Sequence, residues 1–226
     1  MKIVLSQSKI ILTVCLISAI LKLYYANKKT DLHGDEVLTH VLTHSTDAFM
    51  NKKEVHSRWI TKAELNDHLV TERNSFADIK TIYTNQINDV HPPFYYYLFK
   101  VATLNSSQFS KWPGIILNLL LSFISIFFLY KIMEYLKIPK LQIFINLILI
   151  NCSSMMISLT NFIRMYELLT LLMIAISYYI INSELKNRYL KIAIITMLSL
   201  LTHYFSIVYL GILFTVHLIK NGFKSI

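Results

Sequence analysis

The chain has 226 residues, of which 54% are hydrophobic and only 15% are charged. A soluble domain carries about 25% charged residues, so this composition excludes an ordinary soluble enzyme and predicts a membrane protein. The net charge of +9 does not indicate a nucleic-acid partner, because residues 26–112 hold equal numbers of acidic and basic side chains. The whole excess lies in or beside the apolar segments.

The apolar runs predict an all-α polytopic membrane protein with about six transmembrane helices, in a single module over residues 1–226. A span needs about 20 apolar residues to cross a hydrocarbon layer of about 30 Å. We expect an uncleaved first span at 10–26, an extracytoplasmic loop at 27–113, and further spans within 114–220, including unbroken runs at 115–130, 141–159 and 168–181. The segment 192–219 is too long for one crossing and short for two. Two short helices that break near His203 are favoured, and one tilted helix is the alternative.

Basic side chains mark the expected orientation. They cluster at the N-terminus, at the C-terminus and in two short connectors, one around Lys137 and the other around Arg188. Cytoplasmic loops of membrane proteins are enriched in lysine and arginine. The pattern therefore predicts a multi-pass protein of the cell membrane with a cytoplasmic N-terminus and with the loop 27–113 outside. Lys22 lies near the end of the first span, and we expect it to snorkel outward into the lipid headgroup layer.

Amphipathic helices are predicted within the loop 27–113, with their apolar sides on the membrane surface. One follows Asp35, a second follows a capping box at Ser75–Asp78, and a third begins at the pair Pro92-Pro93. The apolar stripe of the second helix consists of Phe76, Ile79, Tyr83 and Ile87. His40 and His44 are four residues apart and could share a metal, but solvated surface histidines are the favoured interpretation.

Arg164 stands at the end of a predicted span. An arginine in that position costs free energy unless it is paired or solvated. A phosphate or a carboxylate is the natural partner, because the guanidinium group binds such planar or tetrahedral anions through several hydrogen bonds at once.

Five short motifs occur in an order that resembles a known family. They are Gly34-Asp35-Glu36, Asn85-Gln86 with Asp89-Val90-His91-Pro92-Pro93, Phe109-Ser110-Lys111-Trp112, Arg164-Met165-Tyr166 and Leu201-Thr202-His203-Tyr204. Together they resemble the N-terminal module of the GT-C class of membrane glycosyltransferases. The resemblance is closest to the bacterial family grouped with protein mannosyltransferases and aminoarabinose transferases.

This resemblance implies transfer of a sugar from a polyprenyl-phosphate carrier in the membrane to an acceptor lipid, protein or wall polymer on the extracytoplasmic face. Asp35 matches the catalytic position of the family and is expected either to take the acceptor's proton as a general base or to orient the acceptor. The expected supporting, acceptor-binding or metal-binding residues are Glu36, Asp89 and His91. The expected ligands of the donor phosphate are Arg164, Tyr166 and His203. Metal use varies within the class, so a divalent cation stays an open possibility.

Members of this family generally run to several hundred residues, so we expect the chain to be an incomplete enzyme. Two alternatives stay open, a non-catalytic transporter or binder of lipid-linked sugars, and an inactive truncated remnant. A transporter more often carries polar or broken positions at mid-membrane. The sequence of the second to fourth spans predicts almost uninterrupted helices, which favours the enzyme.

Overall fold

The computed structural model describes residues 6–45, 59, 61–69, 79–87, 89–104, 109–182 and 185–221. This part of the chain is helical and contains no β-strand, which confirms the all-α prediction. The helices are α1 (Gln7–Lys28), α2 (Gly34–His44), α3 (Lys62–Leu69), α4 (Ile79–Ile87), α5 (Phe94–Thr103), α6 (Trp112–Tyr135), α7 (Lys140–Asn151), α8 (Ser154–Asn161), α9 (Tyr166–Ile181), α10 (Arg188–Leu200) and α11 (Phe205–Asn221).

Two helices are long and apolar enough to cross a membrane, α1 with 22 residues and α6 with 24. The pair α7 and α8 counts as a third if its two helices form one bent span. Helix α9 and the segment Phe205–Val216 of α11 are apolar but shorter. Two or three candidate spans thus support a membrane protein, while the full set of six stays a prediction.

The run at 141–159, which the sequence predicts to be an almost uninterrupted helix, is bent. Helices α7 and α8 meet at an angle of 56° around Cys152 and Ser153. The Asn151 amide donates to the Leu147 carbonyl at 2.9 Å, and the Ser153 hydroxyl accepts from the Met156 N–H at 3.3 Å. Short polar side chains that bond the backbone in this way compete with the helical ladder and begin a new helix. The helix over this run is therefore interrupted, contrary to the pattern of its apolar residues.

The predicted break near His203 is confirmed, because α10 ends at Leu200 and α11 begins at Phe205. The His203 side chain takes part in this break. Its Nδ1 atom accepts a hydrogen bond from the Phe205 N–H at 3.1 Å, so it satisfies one of the free donors in the first turn of α11. The Leu201 carbonyl also accepts from the Phe94 N–H at 3.0 Å, which joins the break to the start of α5.

The loop 27–113 does contain helices α2 and α5 where the sequence predicts them. However, α5 does not rest its apolar side on lipid. Tyr95, Tyr96 and Phe99 are fully buried within the protein, where α5 packs against α2 and α6. The aromatic run is therefore core, because its rings fill the space between a loop helix and a membrane helix.

Helix α4 is exposed on its predicted apolar stripe and buried on the opposite, more polar face. Ile79, Tyr83 and Ile87 are exposed, whereas Asn85 is buried and donates to the Leu42 and Ser45 carbonyls at 3.0 and 2.8 Å. Hydrogen bonds to the end of α2 thus fix which face points inward. The predicted capping box Ser75–Asp78 and the stripe residue Phe76 lie outside the described residues.

Three buried side chains contradict their predicted exposure. Lys22 does not snorkel: it is fully buried, and its ammonium donates to the Ser122 hydroxyl of α6. His40 and His44 are buried rather than solvated, and the His40 ring packs against Phe99 at 4.7 Å between centroids. In each case partners from distant segments replace the water that the sequence pattern implied.

The helices run back and forth between two ends of the molecule. The Lys111 ammonium donates to the Ala26 carbonyl at 2.8 Å, so α1 ends where α6 begins. The Lys131 ammonium donates to the Gln7 amide oxygen at 3.3 Å, which brings the other ends of the same helices together. We call the first the loop end, which holds residues 29–36, 89–93, 109–113, 161–166 and 201–204. The second is the basic end, which holds residues 6–9, 131–140, 182 and 185–191.

Candidate functional site

Arg164 lies at the loop end, in the turn between α8 and α9, and is only 2% exposed. Its Nη1 atom donates to the Asp35 carbonyl at 3.3 Å, the Thr39 hydroxyl at 3.3 Å and the Tyr96 hydroxyl at 3.2 Å. Its Nη2 atom lies 3.4 Å from Nε2 of His91. These distances are long for hydrogen bonds, and every acceptor is neutral.

No carboxylate of the described residues lies within 4.0 Å of the Arg164 guanidinium. Its Nε atom has no hydrogen-bond partner. A buried positive charge without a counter-ion is costly, and an anion in contact with it recovers much of that cost. The surroundings of Arg164 are therefore suited to an anionic ligand.

His91 connects Arg164 to Asp89. Arginine only donates hydrogen bonds, so His91 accepts through Nε2 and carries its proton on Nδ1. Nδ1 then donates to the Asp89 carboxylate at 3.1 Å. Burial alone would raise the pKa of Asp89, but the hydrogen bonds from the His91 side chain and the Val90 backbone outweigh it and lower that pKa. Asp89 is thus a charged acceptor that fixes the ring of His91.

His203 faces the same region from the break between α10 and α11. Its ring centroid lies 5.5 Å from that of His91 and 5.7 Å from that of Tyr166. Burial, together with the nearby positive charge of Arg164, lowers the pKa of His203, which favours the neutral ring. Because Nδ1 accepts from the Phe205 N–H, the neutral ring carries its proton on Nε2 and offers it as a donor.

Tyr166 is half-buried and stacks on Phe162, with 5.9 Å between centroids and an angle of 5° between the rings. Asp35 begins α2, where its backbone carbonyl binds Arg164. Its carboxylate is 46% exposed and lies 3.8 Å from Nδ1 of His33. Asp35 therefore combines a fixed main chain with an accessible carboxylate.

Glu36 points away from this group. It is 1% exposed and accepts from the His33 N–H at 2.9 Å, from the Ile163 N–H at 2.8 Å and from the Lys29 ammonium. Five of the other six predicted site residues thus lie around Arg164, either in direct contact or through the rings of His91 and His203, while Glu36 is engaged with the protein behind them.

Two ligands of Arg164 were not predicted. Thr39 lies one helical turn after Asp35, so the i, i+4 spacing was a usable signal. Tyr96 stands in the aromatic run after Pro93, and that run was interpreted as a lipid-facing surface. Lys29 bonds Glu36, seven residues later, and also the Asn161 carbonyl, which is 132 residues away and which no local pattern could indicate.

A second buried polar group lies between α1, α6, α8 and α9. Glu167 is fully buried, accepts from the Thr160 hydroxyl at 3.1 Å and attracts the Lys22 ammonium electrostatically. Its Oε1 atom has no hydrogen-bond partner.

No metal-ligand set forms within the described part of the chain, because no three His, Cys, Asp or Glu side chains are grouped to hold an ion. His40 and His44 are tilted neighbours at 6.1 Å between ring centroids. Asp89 is bonded to His91, and Glu36 to Lys29 and to backbone N–H groups. The donors predicted for a metal thus already serve other groups.

Comparison of the chain with protein-family models, with curated proteins and with solved structures gave no match.

Proposed function

We propose that this protein is a membrane glycosyltransferase of the GT-C type, which transfers a sugar from a polyprenyl-phosphate carrier to an acceptor at the loop end. The observation that carries the proposal is the buried Arg164 guanidinium, whose partners in the described residues are all neutral. A lipid phosphate supplies the missing negative charge. The accessible carboxylate of Asp35 lies on the residue whose carbonyl binds Arg164.

The reaction follows from these groups. The acceptor hydroxyl oxygen attacks the anomeric carbon of the sugar, the bond from that carbon to the phosphate oxygen breaks, and the electron pair leaves with the phosphate. Asp35 takes the proton of the hydroxyl, which is a weak nucleophile until that proton is removed. Arg164 and the Nε2 proton of His203 stabilise the charge that develops on the phosphate. His91, held by Asp89, orients Arg164, and Tyr166 forms a wall beside His203.

The orientation in the membrane is part of this proposal. The loop end faces the extracytoplasmic side, the basic end faces the cytoplasm, and six spans cross the cell membrane. The distribution of charge supports this arrangement, because Lys137, Lys140, Lys186 and Lys191 are all exposed at the basic end. Cytoplasmic surfaces of membrane proteins carry such an excess.

The test is a transfer assay in membranes with radiolabelled polyprenyl-phosphate sugars, comparing wild type with Asp35→Asn. Loss of a general base lowers the rate by about 10²–10⁴-fold, so we expect that loss for Asp35→Asn. The matched control is Asp31→Asn, since Asp31 is exposed and four residues away. Full activity of Asp35→Asn, or no transfer from any donor by wild type, would contradict the proposal.

A transporter of lipid-linked sugars is the second candidate. The bend of 56° between α7 and α8 and the buried Lys22 and Glu167 favour it, because transporters carry broken helices and intramembrane charges. Reconstituted vesicles separate the two candidates. Movement of a labelled lipid-linked sugar between leaflets without any new glycosidic bond would favour transport.

A further inference from the structure

The backbone just before Arg164 is held by side chains from two other parts of the chain. Lys29 donates to the Asn161 carbonyl at 2.7 Å. Asn118 of α6 donates to the Thr160 carbonyl at 3.2 Å and to the Phe162 carbonyl at 2.8 Å. These bonds satisfy the last two carbonyls of α8 and the carbonyl that follows them, so they fix the end of that helix.

The turn at Ile163 sets the direction of the Arg164 side chain. The Arg164 N–H donates to the Phe162 carbonyl at 2.7 Å, so Ile163 is the central residue of a three-residue turn. The Ile163 N–H is left without a backbone acceptor and instead donates to Oε1 of Glu36 at 2.8 Å. Glu36 thus bonds the residue on which the position of Arg164 depends.

Glu36 also determines where Asp35 lies. Its Oε2 atom accepts from the His33 N–H at 2.9 Å, which completes the cap at the start of α2. One fully buried carboxylate therefore joins the helix start that carries Asp35 to the turn that carries Arg164. The Lys29 ammonium neutralises this carboxylate, so the connection has no net charge.

We propose that Glu36 is a positioning residue that fixes Arg164 relative to Asp35, and that it takes no part in the chemistry. This inference rests on the proposed function only in its choice of ligand, a lipid phosphate at Arg164. A residue that only capped α2 would affect the stability of the helix and would leave the surroundings of Arg164 unchanged.

The first test is a double-mutant cycle on the full chain in detergent, with undecaprenyl phosphate as the probe. Glu36→Gln keeps the size of the side chain but removes the charge. We expect about tenfold weaker binding, since a small displacement of a binding group is enough for such a loss. In the Arg164→Ala background Glu36→Gln should have no further effect, because residues that act as one unit are not additive.

The matched control is Glu134→Gln. Glu134 forms an ion pair with Lys131 at 2.8 Å, as Glu36 does with Lys29, but lies at the basic end. It should bind the probe like wild type. Equal losses for Glu36→Gln in both backgrounds, or no loss in either, would overturn the positioning role.

The second test needs no ligand and separates the two proposals. The ¹⁵N spectrum of labelled histidines reports the hydrogen bond of His91 Nε2, and His91→Gln identifies the signal. We expect Glu36→Gln to shift this signal through movement of Arg164, and Glu134→Gln to leave it unchanged. If wild type fails to bind undecaprenyl phosphate, the donor site is wrong, and the His91 signal still decides the role of Glu36. An unchanged signal in Glu36→Gln would reject it.

Discussion

The charged side chains at the two ends of this molecule lie in opposite environments, exposed at one end and buried at the other. At the basic end Lys137, Lys140, Lys186 and Lys191 are exposed, and the Lys131–Glu134 pair is partly exposed. At the loop end and in the helices beneath it Arg164, Glu36, Lys22 and Glu167 are buried. Exposed charges contribute little to stability because water already solvates them, whereas buried charges depend on the partners that the fold supplies.

The two ends therefore have different proposed roles, the basic end in orienting the protein in the membrane and the loop end in the transfer reaction. In the proposed orientation the basic end needs only the number of its positive charges, since the rule for cytoplasmic loops counts lysines and arginines whatever their geometry. The loop end needs particular atoms at particular distances, and each of its buried groups is bonded to a segment distant in sequence. The following four predictions test this comparison, from the largest expected effect to the smallest.

The largest effect is expected at Lys22. Lys22→Met removes the positive charge that attracts the buried Glu167 carboxylate, and a buried charge left without compensation costs about 3–5 kcal/mol. Thermal unfolding in detergent measures it. The double variant Lys22→Met with Glu167→Gln removes both charges and should recover most of the loss. A single variant as stable as wild type would show that the two side chains do not depend on each other.

The next largest effect concerns Arg164. Arg164→Lys keeps the charge but loses the planar fork that reaches Asp35, Tyr96 and His91 together. We expect transfer activity to fall about a hundredfold, since removal of one donor to a developing anion has an effect of this size. The control is Arg188→Lys at the basic end, which should keep activity. Full activity of Arg164→Lys would mean that charge alone is sufficient at the loop end.

Acidification should destabilise the protein through His40 and His44 of α2. Burial lowers the pKa of His40 to about 4, and burial with the nearby Lys100 and His40 charges lowers the pKa of His44 to about 3. The unfolded chain takes up these protons near pH 6.5 and the folded chain does not. The contribution of these two neutral rings to the free energy of unfolding is therefore complete well above pH 6.5 and is lost as the pH falls towards 4.

Between pH 6.5 and 5.5 the two histidines together should reduce the free energy of unfolding by about 2 kcal/mol. Melting temperatures measured at pH 7.5, 6.5 and 5.5 test this, and the double variant His40→Leu with His44→Leu should show a weaker dependence. An equally steep decline in that variant would assign the effect to other groups.

The smallest effect is expected at Lys131. Lys131→Met removes a partly exposed ion pair with Glu134, and such pairs contribute less than about 1 kcal/mol. The melting temperature should barely change, in contrast with Lys22→Met on the neighbouring helix. A loss as large as that of Lys22→Met would remove the distinction between the two ends.

Local patterns predicted much of the architecture. The apolar runs located α1, α6 and α9, the pair Pro92-Pro93 located the start of α5, and the length of 192–219 located the break at His203. These features depend on hydrophobic length and on the backbone of proline, which act over a few residues. The bend at Ser153 was not predicted, because the run is apolar by composition. The two short polar side chains that interrupt it act through their bonds to the backbone, which composition does not reveal.

The sequence by itself determined an all-helical chain, its candidate membrane spans and the excess of positive charge in its connectors, because each of these is a sum over neighbouring residues. Only the tertiary structure decided which polar residues are buried. Arg164 meets Asp35, Tyr96 and His91 across 68 to 129 residues of chain, and Glu36 reaches Ile163 across 127. Partners at that distance are determined by the packing of helices, which no local pattern encodes. The sequence therefore predicts an anion at Arg164, but only the folded chain shows which groups surround the guanidinium.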